Sequence, residues 1–140
     1  MAIEDKEIIL LKVSGQDKPG VTAGLTSILA NYDAVILDIG QADIHDTLSL
    51  GILFQIKAGS SSGPVLKDLL FKGYELGIKV KFIPISIPDY ETWVKAQIKQ
   101  RYIINVLGET LTAVQLAAVT KIMSDQKLNI DSIIRLTGRT

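Results

Sequence analysis

The sequence predicts an α+β protein of the ferredoxin-like class, in which an antiparallel four-stranded sheet carries two helices on one face. Three observations lead to this prediction. The apolar patterns follow the order βαββαβ over residues 1–86. Each of the two helical stretches is long enough to connect parallel strands, and the middle two strands are joined by a turn so short that they must form a hairpin.

The first strand and the first helix meet at a polar turn. Residues 7–15 (EIILLKVSG) are β-branched and aliphatic over a short run, which favours a buried strand. Pro19 is predicted at the first helical position, because its fixed φ suits a helix start and its missing N–H would be unpaired there. The buried face of this helix recurs at helical spacing, at Val21, Leu25, Ile28, Leu29 and Tyr32.

The next elements follow from the same two periods. Residues 34–44 predict the second strand, residues 48–57 the third, and residues 45–47 the hairpin turn between them. The third strand alternates onto one face at Leu48, Leu50, Ile52, Phe54 and Ile56. Pro64 opens a second helix with Leu66, Leu69, Leu70 and Leu76 on its buried face. In the fourth strand, Ile78, Val80 and Phe82 face inward while Lys79 and Lys81 face solvent.

A partial repeat follows the first domain. Residues 87–100 predict a linker helix, and Thr112 with Gln115 fits a capping box at the start of another helix. Val119, Ile122, Met123, Ile130 and Ile133 lie 94 positions after apolar residues of the first domain. The repeat supplies only β, α and β, so we expect three segments: a first domain over 1–86, the linker over 87–100, and a truncated second domain over 101–140.

The composition excludes several classes of function. Fifteen Lys and Arg balance fifteen Asp and Glu, so no basic surface is predicted for nucleic acid. The sequence has no cysteine, which excludes disulfides, thiolate zinc sites and cysteine nucleophiles. It has one histidine, which excludes a histidine-rich metal site. No apolar run approaches the roughly 18 to 20 residues that span a bilayer, and the N-terminus is acidic rather than basic. We expect a cytoplasmic protein that does not bind membranes.

The turn at residues 17–21 is the main candidate site. Free N–H groups at a helix start favour a ligand carboxylate, and Gly20 lets a ligand approach the backbone. Asp17 has an acceptor for a ligand ammonium. The predicted ligand-binding residues here are Asp17, Lys18, Pro19, Gly20 and Val21. The alternative is structural, with Pro19 and Gly20 starting the helix and Asp17 capping it.

Two stretches carry a resemblance to a known family. VSGQDKPGVTAGLTSIL and VILDIGQADIHDTLSLGILF, with the weaker second copy, resemble the tandem ACT domains at the N-terminus of one class of phosphoserine phosphatases. The resemblance implies a regulatory segment that binds an amino acid, serine or glycine, for an enzyme of serine biosynthesis. It also implies a separate catalytic domain after Thr140 that uses magnesium and an aspartate nucleophile.

No catalytic residue, metal ligand or cofactor is predicted within this chain. The nucleophile motif of the phosphatases is Asp-x-Asp-x-Thr or Val, and its nearest imitation here is Asp43 and Asp46. These aspartates lie three positions apart in the predicted hairpin, a spacing that turns the carboxylates away from each other.

The resemblance also implies a partner for the turn. In serine-binding ACT domains, a turn residue that corresponds to Asp17 works with an asparagine early in the next strand, where this sequence has Val35. The second copy has Asn129 at that strand position but lacks the Pro-Gly pair. A composite site would join Asp17 of one copy to Asn129 or Asp131 of the other, in the same or a partner chain. Asp38 and Gln41, on the strand beside the first helix, are secondary candidates.

Two other interpretations of the chain stay open. One is a stand-alone ACT regulator that resembles the glycine-cleavage transcriptional repressor, and the other is a module that only dimerises an enzyme. A homodimer is predicted in each case, because the apolar residues of the truncated copy need cover and a second chain supplies it.

Overall fold

The core of the protein lies between an antiparallel sheet and two helices packed on one of its faces. The computed structural model describes residues 6–57, 59–97 and 100–136. The chain divides into two compact units, Met1–Lys99 and Gln100–Thr140. The elements of the first unit are β1 (Glu7–Gln16), α1 (Val21–Asn31), β2 (Val35–Ile44), β3 (Thr47–Ile56), α2 (Gly63–Leu76), β4 (Lys79–Ile85) and α3 (Ile87–Ala96).

The sheet has the strand order β2-β3-β1-β4, with every neighbouring pair antiparallel. This arrangement confirms the predicted ferredoxin-like fold. Because β1 and β2 are both antiparallel to β3, they run in the same direction, and their C-terminal ends lie at the same end of the sheet. At that end of the sheet β1 leads into α1, so the end of β2 lies beside the start of the helix.

The buried residues confirm most of the predicted core. Leu11, Ile52 and Phe54 of the two central strands are fully buried beneath the helices. The helices contribute Val21, Leu25 and Leu29 from α1 and Val65 and Leu69 from α2 to the same core.

The prediction for Leu70 in α2 is wrong, because the side chain is 52% exposed. The core stripe of α2 runs through Val65, Leu69 and Gly73, at intervals of four residues. Leu70 lies about 100° around the helix from Leu69, away from that stripe.

The predicted hairpin between β2 and β3 is confirmed as a two-residue turn. His45 and Asp46 have φ values of 46° and 62°, both in the left-handed region. Two such residues make a type I′ turn, whose twist matches that of the flanking strands.

A β-bulge lies near the start of β2. Ile36 pairs with Phe54, whereas Asp38 pairs with the next residue of β3, Leu53, so Leu37 is extra. After the bulge, Ile39, Gln41 and Asp43 face the helices, opposite Ile52, Leu50 and Leu48 of the core.

A helix, α3, lies where the linker helix is predicted, and it contacts β1. Its first turn is capped by Ser86, whose Oγ accepts a hydrogen bond from the Asp89 N–H at 3.2 Å. The rings of Tyr90 and Trp93 lie 5.9 Å apart on this helix. None of the described helices combines the length and the apolar character needed to cross a bilayer.

The second unit contains α4 (Ala113–Asp125), whose predicted capping box is confirmed. Gln115 N–H donates to Thr112 Oγ1, and Thr112 N–H donates to Gln115 Oε1. The predicted strands on either side of α4 are not assigned as strands within residues 100–136. The sheet order of the first unit supplies the physical reason, since β1 and β2 never pair and β3 lies between them. The repeated segments correspond to β1 and β2, so they are not each other's neighbours in the sheet.

Candidate functional site

An open cavity of about 460 Å³ lies where β1 and β2 end and α1 begins. Three structural elements supply its walls: the β1–α1 turn, the first turn of α1, and the last residues of β2, with one residue of β3 at its base. The lining residues are Asp17, Lys18, Pro19, Gly20, Val21, Thr22, Ala23, Gln41, Asp43 and Leu48. All five residues predicted in the turn therefore lie at this cavity, together with Gln41.

The start of α1 presents unpaired backbone donors to the cavity. The N-cap is Gly20, with φ 93°, and no side chain caps the helix. The prediction that Pro19 is the first helical residue is wrong, because the left-handed φ of Gly20 delays the helix to Val21. The alternative in which Asp17 caps the helix is wrong for the same reason. The first intrahelical bond is from Gly24 N–H to Gly20 O at 2.8 Å, which leaves the N–H groups of residues 21–23 without an intrahelical partner.

Gln41 is oriented by a hydrogen bond across the cavity. Thr22 Oγ1 donates to Gln41 Oε1 at 2.6 Å. Because that bond uses the amide oxygen, the amide nitrogen keeps its two N–H donors for another acceptor. The cavity therefore offers donors from both the α1 backbone and Gln41.

Two carboxyl groups provide acceptors at the same cavity. The Asp17 N–H donates to Asp46 O at 2.7 Å, which ties the turn to the β2–β3 hairpin. The pKa of Asp43 is raised, first by loss of contact with water, then by the negative charge of Asp17, and then by a hydrogen bond with the Asp17 side chain. The two aspartates therefore act on each other across the turn.

The Lys18 ammonium lies near the end of α2. A Cβ atom placed on Gly77 would lie 3.6 Å from Lys18 Nζ. Gly77 is the C-cap of α2, where the helix dipole favours a cation. The ion pairs Lys72–Glu75 and Lys121–Asp125 of the described residues include neither Asp17 nor Asp43.

The other predicted site residues lie elsewhere. Asp38 is on β2 but faces away from the helices, and its Oδ1 accepts a hydrogen bond from the neighbouring Ile39 N–H. Val35 stands at the start of β2, at the end of the strand opposite the cavity. Asn129 and Asp131 are exposed residues of the second unit. The composite site that joins the two copies stays a prediction.

Sequence reasoning missed Thr22, Ala23, Asp43 and Leu48. A signal for Asp43 was present, because it lies two positions after Gln41 and so shares its face of the strand. No group of three or more His, Cys, Asp or Glu that could hold a metal ion occurs among the described residues.

Comparison with known proteins identifies the fold family. Residues 7–83, more than half of the chain, match the profile of the ACT domain. The chain belongs to the ACT domain family. The match covers β1, β2 and β3 and every residue that lines the cavity.

Known proteins similar to this ACT chain include two phosphoserine phosphatases. The chain is 28% identical to the one from Mycobacterium tuberculosis over 91% of its length, and 30% identical to the one from Streptomyces coelicolor over 94%. It spans about a third of the length of these enzymes, 30% and 31%. It is also 36% identical to UPF0237 protein MK1213 of Methanopyrus kandleri, over 51% of this chain and 80% of that protein.

A solved structure with the same fold is that of a putative glycine cleavage system transcriptional repressor. The two chains superpose with a TM-score of 0.56 at 13% identity, over 87% of this chain and 67% of the other. At this identity the similarity concerns the fold alone.

Proposed function

We propose that this chain is a regulatory segment of a phosphoserine phosphatase and that its first ACT domain binds serine or a similar small amino acid. The parent enzyme would hydrolyse phosphoserine to serine and phosphate, and its magnesium would belong to a catalytic domain outside this chain. The observation that carries the proposal is one cavity lined both by unpaired backbone and amide donors and by two carboxyl groups that form no ion pair among the described residues.

This pattern is complementary to an α-amino acid. The N–H groups at the start of α1 and the amide nitrogen of Gln41 suit a ligand carboxylate, since a helix start favours an anion. Asp17 suits the ligand ammonium. The similarity to phosphoserine phosphatases over more than nine-tenths of the chain supports serine, the product of that reaction, as the amino acid.

Calorimetry and thermal melting with L-serine and glycine test the proposal. A ligand at 100 times its dissociation constant stabilises the folded state by about 2.7 kcal/mol, so the melting temperature should rise clearly at millimolar concentrations. Two truncated analogues define the recognised groups. Ethanolamine lacks the carboxylate and 3-hydroxypropanoate lacks the amine, and each should bind at least tenfold more weakly than serine, the cost of about one charge-assisted hydrogen bond.

A matched pair of variants locates the site. Gln41→Ala removes the side-chain amide donors of the cavity and should weaken serine binding about tenfold. Gln55→Ala makes the same change on β3, at the end of the sheet far from the cavity, and should leave binding unchanged. Absence of heat and of any melting shift with either amino acid at millimolar concentration would contradict the proposal.

We also propose that the chain forms a homodimer through the exposed edge of β2. This strand has ten residues, and its apolar side chains are exposed, with Val35 at 52% and Ile44 at 75%. β4, the opposite edge, carries Lys79, Lys81 and Pro84, which prevent pairing with another strand. An unprotected apolar edge is a template for a second strand, and the same edge of a second copy matches its length and apolar character.

Light scattering of the intact chain tests the dimer. Val35→Lys together with Ile44→Lys should shift the mass from dimer to monomer. Tyr74→Lys removes a residue that is 87% exposed on α2, and it should leave the dimer intact. A monodisperse wild-type monomer at high concentration would contradict the proposal, and a dimer that shows no response to any amino acid would favour a purely structural module.

A further inference from the structure

The cavity contains more negative charge than a simple acceptor for an ammonium requires. Asp17 comes from the β1–α1 turn and Asp43 from the last residues of β2, and both line the cavity. Neither is part of an ion pair in the described part of the chain. Two carboxyl groups at one cavity without a cation resist being ionised together, because like charges repel each other.

The charged neighbours of Asp43 are few. The turn contributes Asp17 and Lys18, and the Lys18 ammonium is directed toward Gly77 at the end of α2. α1 contributes Val21, Thr22 and Ala23 to the cavity, and β3 contributes Leu48, so neither element adds a titratable group there. His45 and Asp46 follow in the hairpin turn but do not line the cavity.

We infer that Asp17 and Asp43 together hold the primary ammonium group of the bound amino acid, and that Asp43 releases its proton to solvent when the ligand binds. This inference rests on the function proposed above. An ammonium has three N–H donors and no acceptor, so it binds the pair most strongly when both carboxyl groups are ionised and each accepts a charge-assisted hydrogen bond. The direction of the Asp43 pKa shift agrees, since Asp43 holds its proton more tightly than an ordinary aspartate while the cavity is empty.

Two consequences distinguish this arrangement from recognition by Asp17 alone. Affinity should fall about tenfold per pH unit once the pH drops below the pKa of Asp43 in the empty cavity, because each binding event then releases one proton. The site should also require a primary amine. N,N-dimethylglycine has a single N–H when charged and so cannot donate to both carboxylates, and it should bind at least tenfold more weakly than glycine.

Isothermal titration calorimetry of the intact chain tests the inference, with L-serine and glycine as probes between pH 4 and pH 8. Titrations in two buffers with different ionisation enthalpies give the number of protons released. We expect release in the acidic part of this range and none near neutral pH. Asp43→Asn should abolish the release and weaken serine binding about tenfold to a hundredfold at neutral pH, as expected for a lost hydrogen bond to a charged group.

The control is Asp33→Asn. Asp33 follows α1 at the end of the helix that lies away from the cavity, and its φ of 55° is one that asparagine adopts readily. This variant should keep both the affinity and the proton release of the wild type.

The outcomes separate this inference from the proposed function. Serine binding with proton release that is lost in Asp43→Asn supports both. Serine binding without proton release, and with the same affinity in Asp43→Asn, overturns the role of Asp43 and leaves the amino-acid site in place. No binding of serine or glycine at any pH overturns both proposals.

Discussion

Replacing Gly73 with alanine should destabilise the first unit, even though alanine is the better helix former. Gly73 lies inside α2 and faces β4. A Cβ atom built on it would lie 2.5 Å from Cγ2 of Val80 and 3.8 Å from Cγ1 of Ile78. Carbon atoms in contact prefer about 3.5 to 4.0 Å, so the added methyl group overlaps Val80 by about 1 Å.

The neighbouring structure has little freedom to remove this overlap. Val80 is β-branched, so its χ1 angle is restricted, and its backbone is paired with Val13 of β1. Inserting a methyl group into a packed core costs about 1 to 3 kcal/mol. Alanine recovers up to about 1 kcal/mol through helix propensity. The expected net loss is about 1 kcal/mol, which corresponds to a fall of roughly 4 to 8 °C in melting temperature for a unit of this size.

Gly24 in α1 is the matched control. Its added Cβ would lie 3.6 Å from Cδ of Lys72 and 3.7 Å from Cδ1 of Leu76, which is ordinary contact. Gly24→Ala should therefore stabilise the protein by about 0.5 to 1 kcal/mol. The two variants make the same chemical change in interior positions of the two packed helices, so their difference, about 2 kcal/mol, isolates the overlap at Val80.

Denaturant unfolding of the single and double variants checks the reasoning. Val80→Ala removes the overlapping methyl groups, so the destabilisation by Gly73→Ala should disappear in the Val80→Ala background. The coupling free energy of this cycle should be at least about 1 kcal/mol. If Gly73→Ala is as stable as wild type or gains as much stability as Gly24→Ala, the close packing of α2 on β4 is refuted.

Four other variants test local features. Asp43→Asn should raise the melting temperature at neutral pH. Because the pKa of Asp43 is raised in the folded state, its contribution to the free energy of unfolding is complete below the unfolded-state pKa and is lost as the pH rises through the folded-state pKa. The difference in melting temperature from wild type should therefore vanish in acid. Asp46→Gly should stabilise the hairpin by about 1 kcal/mol in denaturant unfolding, because φ 62° costs glycine nothing. Thr112→Ala should cost α4 about 1 kcal/mol and speed amide exchange there roughly fivefold. Gly20→Asn places a side chain at φ 93°, where side chains are strained, so it should destabilise the first unit and weaken serine binding in calorimetry, and an unchanged affinity would contradict the role of the helix start.

The sequence predicted the framework well because the first unit obeys simple periods. Strand β3 has a core residue at every second position from Leu48 to Ile56, and the stripe of α1 repeats at helical spacing. The error at Leu70 has a physical origin. Several leucines in α2 lie close together in sequence, so which of them are buried depends on the rotation of the helix about its own axis. That rotation follows from tertiary packing, in which Gly73 lies against Val80.

The site was only partly predictable because it joins residues from two separate stretches. The turn at Asp17 was found from local chemistry, since a Pro-Gly pair before an amphipathic helix is a local pattern. Asp43 was not, because its place beside Asp17 depends on the pairing of both β1 and β2 with β3. The bulge at Leu37 also interrupts the alternation of β2. Residues that follow it therefore lie on the opposite face from the one that counting by twos from the start of the strand would give.

The start of α1 differs from the starts of the other helices in the described part of the chain. Ser61 Oγ accepts from the first N–H of α2, Ser86 Oγ from the first turn of α3, and Thr112 Oγ1 from the first turn of α4. No side chain does this for α1. A Cβ atom on its N-cap Gly20 would meet nothing within 4 Å, so lack of space does not explain the glycine. The φ of 93° does explain it, and the three N–H groups that follow Gly20 belong to residues that line the same cavity as Asp17 and Asp43. A helix start without a cap is less stable by about 1 kcal/mol than a capped one, and a ligand carboxylate bound there would supply the missing acceptor.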